Sequence, residues 1–223
     1  SEGDVPALVA FAREHHVDFV VPGPELPLTL GVVDAMTEAG IPCFGPVAAC
    51  ARLEGSKAFA KEIMQAAGVP TAACGVFSDR KSAGAFAAKH GAPLVIKADG
   101  LAAGKGVVIA MTEHDIDAAL DDMFSGRFGA AGQTVVMEEF LRGEEVSLLC
   151  FCDGERALPL PSAQDHKAAY DGDRGPNTGG MGAYSPAPVL PDDELERMAD
   201  LTVRPVLREM ARRGTPFRGI LYA

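Results

Sequence analysis

Positive charge is scarce in this chain. Its 223 residues include 20 Lys and Arg against 31 Asp and Glu, for a net charge of −11. A surface of that sign excludes a general nucleic-acid partner and an anionic membrane. No apolar run approaches the roughly 20 residues that span a bilayer, and the first residues of this chain do not read as a signal peptide. The five cysteines are odd in number and include no C-x-x-C pair, which argues against a disulfide framework and against zinc. They read as reduced, mostly buried thiols of a cytoplasmic protein. Internal repeats, heptads, low-complexity segments and a convincing Ser–His–Asp set are all missing.

What is present suits a mixed helix and sheet protein. The length allows one to two domains with a sizeable core. Apolar residues make up 48%, punctuated by 25 Gly and 16 Pro. The chain begins without Met and stops in a strand-like run at 219–223. It therefore reads as a piece of a longer protein.

The stretch VIKADGLAAGKGVVIA at 95–110 is the most informative. Apolar β-type residues run up to a loop and resume after it. The loop holds Gly100, Gly104 and Gly106, with Lys97 before it and Lys105 within it. Glycines let backbone N–H groups approach phosphate oxygens, and a lysine adds a point charge. This is not a Walker A loop, which needs four residues between its glycines, then Gly-Lys-Ser/Thr and a helix. By itself the stretch also reads as an ordinary glycine-containing hairpin with an exposed lysine.

The remaining elements follow in order. Residues 4–16 read as a helix with Asp4 as N-cap and Pro6 in the first turn. Residues 17–21 read as a buried strand opening into PGPELPL, where Glu25 is either a hydroxyl-recognising acid or a solvated one. A helix over 29–39 closes at Gly40, and a short strand covers 41–44. Ser56 can cap a helix running to Ala67. Lys57 stands in its first turn, against the helix dipole, as either a ligand-facing or a solvated cation. A strand at 73–77 and a helix at 82–90 precede the glycine loop. Thr112 to Asp115 is a capping-box-like start for a helix to about Met123. Residues 126–132 form a loose link and 134–140 a strand. Segments 146–152 and 156–160 pair through Asp153-Gly154. Cys150 and Cys152 share one face of that strand, which favours packing over zinc. Phe86, Ile116 and Leu120 are expected over one face of the small sheet.

Two further clusters carry polar chemistry. In EEFLRGEE, 138–145, Glu138 ends one strand and Glu145 begins the next; the pair either reads an adenine edge and ribose hydroxyls or only keeps a hairpin soluble. Residues 162–186 form a long irregular stretch containing QDHK and GPNTGGMGAYSP. Such stretches are usually functional or disordered, and this composition favours backbone binding of a small anionic substrate. His166 reads as structural.

Taken together, VVPGPELPL (20–28), LEGSKAF (53–59), the glycine loop, EEFLRGEEVS (138–147), SAQDHK (162–167) and GPNTGGMGAYSP (175–186) resemble the ATP-grasp ligases. Within them the chain is most similar to the phosphoribosylamine–glycine ligase family of purine biosynthesis. The resemblance implies an α/β and α+β fold. Residues 1–46 would end a Rossmann-like N-terminal domain, and 47–223 would form the ATP-grasp domain, with a lid at about 71–140. It implies joining of glycine to 5-phosphoribosylamine through glycyl phosphate, with ATP consumed and Mg²⁺ or Mn²⁺ required. Metal ligands would lie beyond Ala223, and this chain alone would be inactive. Lys97, Lys105, Asp165 and Lys167 would be catalytic. Lys57, Lys97, Gly100, Gly104, Lys105, Gly106, Glu138, Glu139, Leu141 and Glu145 would bind ATP. Glu25, Asp165, Lys167, Asn177, Thr178, Gly179, Gly180 and Met181 would face the other substrates. Another ATP-grasp carboxylate–amine ligase, or a non-catalytic nucleotide-binding module, remains as an alternative. The subunit number is open.

Overall fold

The computed structural model describes residues 1–100, 106–127, 129–172 and 174–223. Helices α1 (Val5–Glu14), α2 (Glu25–Thr29) and α3 (Val32–Glu38) form an N-terminal unit. The Asp4 carboxylate accepts from Ala7 N at 3.1 Å and starts α1. The unit's core is Val5, Ala12, Val32, Val33, Met36 and Ile41.

Three expectations fail in this unit, and the first two share a cause: the short strand expected at 41–44 is only the single bridge residue Cys43, facing Val20. Residues 17–21 are not a buried strand: one parallel bridge joins Val20 to Cys43, and Phe19 and Val21 are 57% and 63% exposed. Strand burial requires sheet neighbours, and among the described residues that bridge is the only pairing. Of the helix expected at 29–39 only α3, Val32–Glu38, forms, and Thr29 is instead the last residue of the preceding α2. Gly31 sits at φ 84 between α2 and α3, a left-handed turn that a right-handed helix cannot pass through.

Helix α4 (Ala48–Gly55), unmarked by the sequence reading, follows, then α5 (Lys57–Ala66). Ser56 between them is extended and accepts from Phe59 N at 3.1 Å. Next come β1 (Cys74–Phe77), α6 (Arg80–His90), β2 (Leu94–Ala98), β3 (Val107–Ala110), α7 (Glu113–Phe124) and β4 (Val135–Glu139). These strands form one antiparallel sheet in the order β1-β4-β2-β3. Side chains alternate across it. Leu94, Ile96, Ala98, Ala110, Val135 and Met137 meet Ala83, Ala87, Ile116, Leu120 and Met123 from the two helices, with Phe86 packed alongside. The Thr112–Asp115 capping box is formed in both directions.

The rest of the chain makes a second body: β5 (Leu149–Asp153), β6 (Ala157–Pro159), β7 (Gln164–Asp165), β8 (Ala168–Tyr170), β9 (Arg174–Asn177), β10 (Ala183–Tyr184), α8 (Leu195–Leu201), α9 (Val203–Arg212) and β11 (Arg218–Tyr222). A three-stranded sheet β11-β5-β6 shares its core with α5, α8 and α9, and buries Cys150 and Cys152. Asp153 Oδ1 accepts from Glu155 N and Arg156 N, closing the expected turn. The strand begins at Leu149 rather than 146, so Glu145 lies in an exposed link ahead of it.

Residues 162–186 are more regular than their composition implies. Strands β7 and β10 pair, as do β8 and β9. Glycine-rich segments carry little strand propensity, but backbone pairing asks nothing of the side chains. Ser162, fully buried, anchors the stretch: its hydroxyl donates to Leu190 O at 2.7 Å and accepts from Ala187 N at 3.1 Å.

Candidate nucleotide site

One face of the four-stranded sheet is covered by α6 and α7, and strand alternation decides what lies on the other. Register pairs Val95 with Glu138 and Ile109, Lys97 with Val136 and Val107, and Glu138 with Cys74. The open face is therefore apolar with one cation and one acid. Val76, Val107 and Ile109 on it are 48%, 38% and 47% exposed. An exposed apolar patch beside placed charges is the usual composition of a ligand surface.

Lys97 and Glu138 are diagonal neighbours on adjacent strands, close enough for long side chains to meet. Lys97 Nζ lies 2.9 Å from Glu138 Oε1, and Lys61 Nζ lies 3.2 Å from Glu138 Oε2. Lys57, one turn before Lys61 on α5, donates to Gly100 O at 3.0 Å. Burial pushes the Lys57 ammonium below its ordinary pKa, and Asp99 opposes that shift. Asp99 itself accepts from Ser56 Oγ at 3.1 Å and from Ala58 N at 3.0 Å. Three lysines thus converge where α5 meets the open sheet face. Three cations meet the acids Glu138 and Asp99 there, with Lys97 the more exposed of the two that pair with Glu138.

The structure gathers Lys57, Lys97, Gly100 and Glu138 at this seam. Gly106 O accepts from Ala98 N at 2.7 Å at the root of the loop. Gly104 and Lys105 lie outside the described residues. Glu139, Leu141 and Glu145 follow as an exposed run, with Leu141 62% exposed. A second group lies along the β7–β10 and β8–β9 ladders. Lys167 Nζ is 3.6 Å from Asp165, and Lys167 O accepts from Thr178 N at 2.7 Å. Gly180 N donates to Thr178 Oγ1 at 3.0 Å, and Met181 N to His166 O at 2.7 Å. Gly179 lies between them, and Asn177 pairs its backbone with Ala168. His166 stacks on Tyr184 at 5.7 Å, a packing role.

Glu25 belongs to neither group. It lines a cavity of about 660 Å³ with Leu28, Phe44, Glu54, Ile220 and Tyr222, and none of the three lysines lines that cavity. Tyr222 donates its hydroxyl to the Glu54 carboxylate. Burial first, then that bond, raises its pKa. Among the described residues no cluster of three His, Cys, Asp or Glu side chains is placed to hold a metal ion, and no helix is long and apolar enough to cross a membrane.

Sequence reasoning assigned no role to Lys61 or Asp99. For Lys61 the available signal was its spacing of one helical turn from Lys57. For Asp99 it was an acid set directly against the glycine loop.

Comparison with known proteins accounts for both units. Residues 1–54 match the family described as phosphoribosylglycinamide synthetase, N domain, and residues 55–223 match phosphoribosylglycinamide synthetase, ATP-grasp (A) domain. A phosphoribosylamine–glycine ligase of Brucella melitensis is 55% identical over 220 residues, covering 99% of this chain and 52% of that protein. The chain thus spans about half the length of the relatives it matches. The crystal structure of phosphoribosylamine–glycine ligase from Thermotoga maritima superposes with a TM-score of 0.79 at 37% identity, covering 92% of this chain and 50% of that one. The biotin carboxylase domain of Hydrogenobacter thermophilus 2-oxoglutarate carboxylase, solved with MgADP and bicarbonate, superposes with a TM-score of 0.74 at 20% identity, covering 98% of this chain and 47% of that one. It is a likeness of fold.

Proposed function

Since this chain belongs to the phosphoribosylglycinamide synthetase family, we propose that the full-length protein joins glycine to 5-phosphoribosylamine, converting ATP to ADP and phosphate by way of glycyl phosphate. The observation that carries the nucleotide half of this reading is the convergence of Lys57, Lys97 and Glu138 beside an exposed apolar sheet face. A purine base is flat and apolar on its faces, and polyphosphate needs cations. This seam offers both.

Phosphoryl transfer is mostly positioning and charge neutralisation. In this reading Lys57 and Lys97 contact the phosphates, and the loop from Gly100 through Gly104 and Lys105 to Gly106 closes over them. Closure keeps water from an acyl phosphate. The exposed run Glu139, Leu141 and Glu145 reads the base edge and ribose, together with Glu138. Asp165, Lys167 and the 177–181 backbone face the acceptor, and Glu25 faces its sugar across the cavity. The 162–186 ladders support the acceptor role by presenting backbone groups in fixed order.

Separate cores at Val5–Ile41, at Ala83–Met137 and around Cys50 and Cys150 support division into 1–46 and 47–223, with a lid at 71–140. MgADP is bound by the structural relative above. In this protein Mg²⁺ or Mn²⁺ would neutralise phosphate charge, with its ligands expected beyond Ala223. Five free thiols suit the cytoplasm. Burial pushes Cys50 and Cys152 up to about 11, so neither is a reactive thiolate near neutral pH.

The experiment is ADP release by the full-length protein with Mg²⁺ and phosphoribosylamine, with and without glycine. Release that requires glycine and rejects other amino acids is the expected result. Release with a different acid would keep the ATP-grasp chemistry and overturn the substrate. ATP binding without turnover would favour a nucleotide-binding module.

A further inference from the structure

Lys61 is buried at 6% exposure, whereas the Lys97 side chain is 26% exposed. The Lys61 ammonium has three acceptors: Thr71 Oγ1 at 2.8 Å, Ala72 O at 3.1 Å and Glu138 Oε2 at 3.2 Å. An ammonium has three protons, so none is left for a ligand. The positions of the acceptors matter more than their number. Thr71 and Ala72 carry the chain into the four-stranded unit, and Glu138 lies where it leaves. The two crossings are adjacent, since Glu139 N donates to Ala73 O at 2.9 Å and Cys74 pairs with Glu138. One side chain of α5 therefore holds both crossings at once.

Stability alone does not account for this arrangement. Burying an ion pair costs desolvation that well-packed apolar side chains would avoid. What the pair supplies is orientation. Glu138 is also 6% exposed, and its second oxygen meets Lys97 at 2.9 Å. The Lys97 side chain is 26% exposed, and Glu138 is its one ion-pair partner among the described residues. Lys97 therefore keeps protons for a ligand. The chain of contacts runs from a saturated buried cation, through a shared carboxylate, to an open cation on the ligand face.

We propose that Lys61 is a positioning residue for nucleotide binding, fixing Glu138 and both crossings so that Lys97 is presented to polyphosphate. This rests on the nucleotide reading of the site. Without the Lys61 charge, Glu138 keeps a single cation partner and draws Lys97 back toward itself. The crossings also lose their common anchor on α5.

The test is calorimetric titration of Mg²⁺-ATP into the full-length protein and into Lys61→Gln, with the KM for glycine measured alongside. Lys61→Gln is expected to weaken ATP about tenfold, as for loss of one charged hydrogen bond, with the glycine KM unchanged within about twofold. Thr71→Val, which removes one acceptor and no charge, is expected to fold and to weaken ATP by a smaller factor. Hydrogen exchange without nucleotide should quicken at 71–74 and 138–140 in both variants, and not in α7. If Lys61→Gln does not fold, Thr71→Val decides: unchanged ATP affinity overturns the proposal. Equal losses for ATP and glycine in Lys61→Gln would mean a general structural role and would overturn it too. Failure of the parent to bind ATP would instead remove the nucleotide reading, and the proposal with it.

Discussion

The carboxylate of Asp99, one residue past β2, caps α5 alongside the helix's own N-cap: it accepts from Ser56 Oγ at 3.1 Å and from Ala58 N at 3.0 Å, while Ser56 Oγ accepts from Phe59 N. Helix N-termini carry unpaired N–H groups and partial positive charge. Ser56 takes one of them, Phe59 N, and Asp99 from the four-stranded unit takes another, Ala58 N, so cap and seam share a contact. Asp99→Ala is expected to cost about 1–2 kcal/mol, the usual range for a lost cap. Asp99→Asn keeps an acceptor and should lose only part of that. Urea unfolding of the three proteins checks the order, and equal midpoints for Ala and parent would remove the contact from the stability of the seam.

Glu209 supplies the clearest pH dependence. Hydrogen bonds from Arg212 and then Arg213 pull its pKa from 4.5 down to about 2. A pKa depressed on folding stabilises the native state above the unfolded value, and the contribution disappears as pH falls through the folded one. Stability from this group is therefore full above about pH 4.5 and is lost progressively toward pH 2. Glu209→Gln should flatten that part of the acid limb in thermal melts at successive pH values. A parallel limb in the variant would assign acid loss to other carboxylates.

Gly219 marks where β11 meets the N-terminal segment. Its φ is +130°, and a Cβ there would come within 2.9 Å of Pro46 Cδ and 3.1 Å of Pro46 N. Backbone and a proline ring cannot move aside as a flexible side chain can. Gly219→Ala should cost about 1–3 kcal/mol, read as a lower denaturation midpoint. A neutral result would show that the strand relaxes away from Pro46.

Much of this was legible along the chain. The Thr112 capping box, the Asp153-Gly154 turn and the alternation of β2 and β4 are local rules, and each residue obeys its neighbours. Lys57 and Lys97 stood out by local features too, one against a helix dipole and one beside a glycine-rich stretch, and the structure brings both to the seam. What escaped needed distance. The Lys97–Glu138 pair spans the sheet and follows from a register that no local pattern states. Residues 17–21 have the composition of a buried strand, but burial depends on neighbours rather than on the strand itself. Gly31 looked like one helical position among several until its left-handed turn divided α2 from α3. Lys61 was hidden because its three partners lie 10, 11 and 77 residues onward.

Ser162 should be among the most sensitive positions outside the lysine seam. Its hydroxyl serves Leu190 O, Ala187 O and Ala187 N with no exposure to solvent. Ser162→Ala takes the hydroxyl donor from Leu190 O in the interior, at about 1–3 kcal/mol, while Ala187 N and Ala187 O keep their backbone bonds to Ser162 O and Leu190 N. Because the residue anchors 162–186, limited proteolysis should cut that stretch faster in the variant. An unchanged cutting rate would mean the ladders hold without the anchor.

The adjacency of Cys74 and Glu138 across β1 and β4 has a mechanical consequence. A segment whose two ends meet leaves the host's remaining path through α5 and β5 continuous. Residues 74–139 have that property and their own core. They enter and leave the host at one point, so this segment can shift as a unit about its paired ends, carrying Lys97 and Glu138 with it.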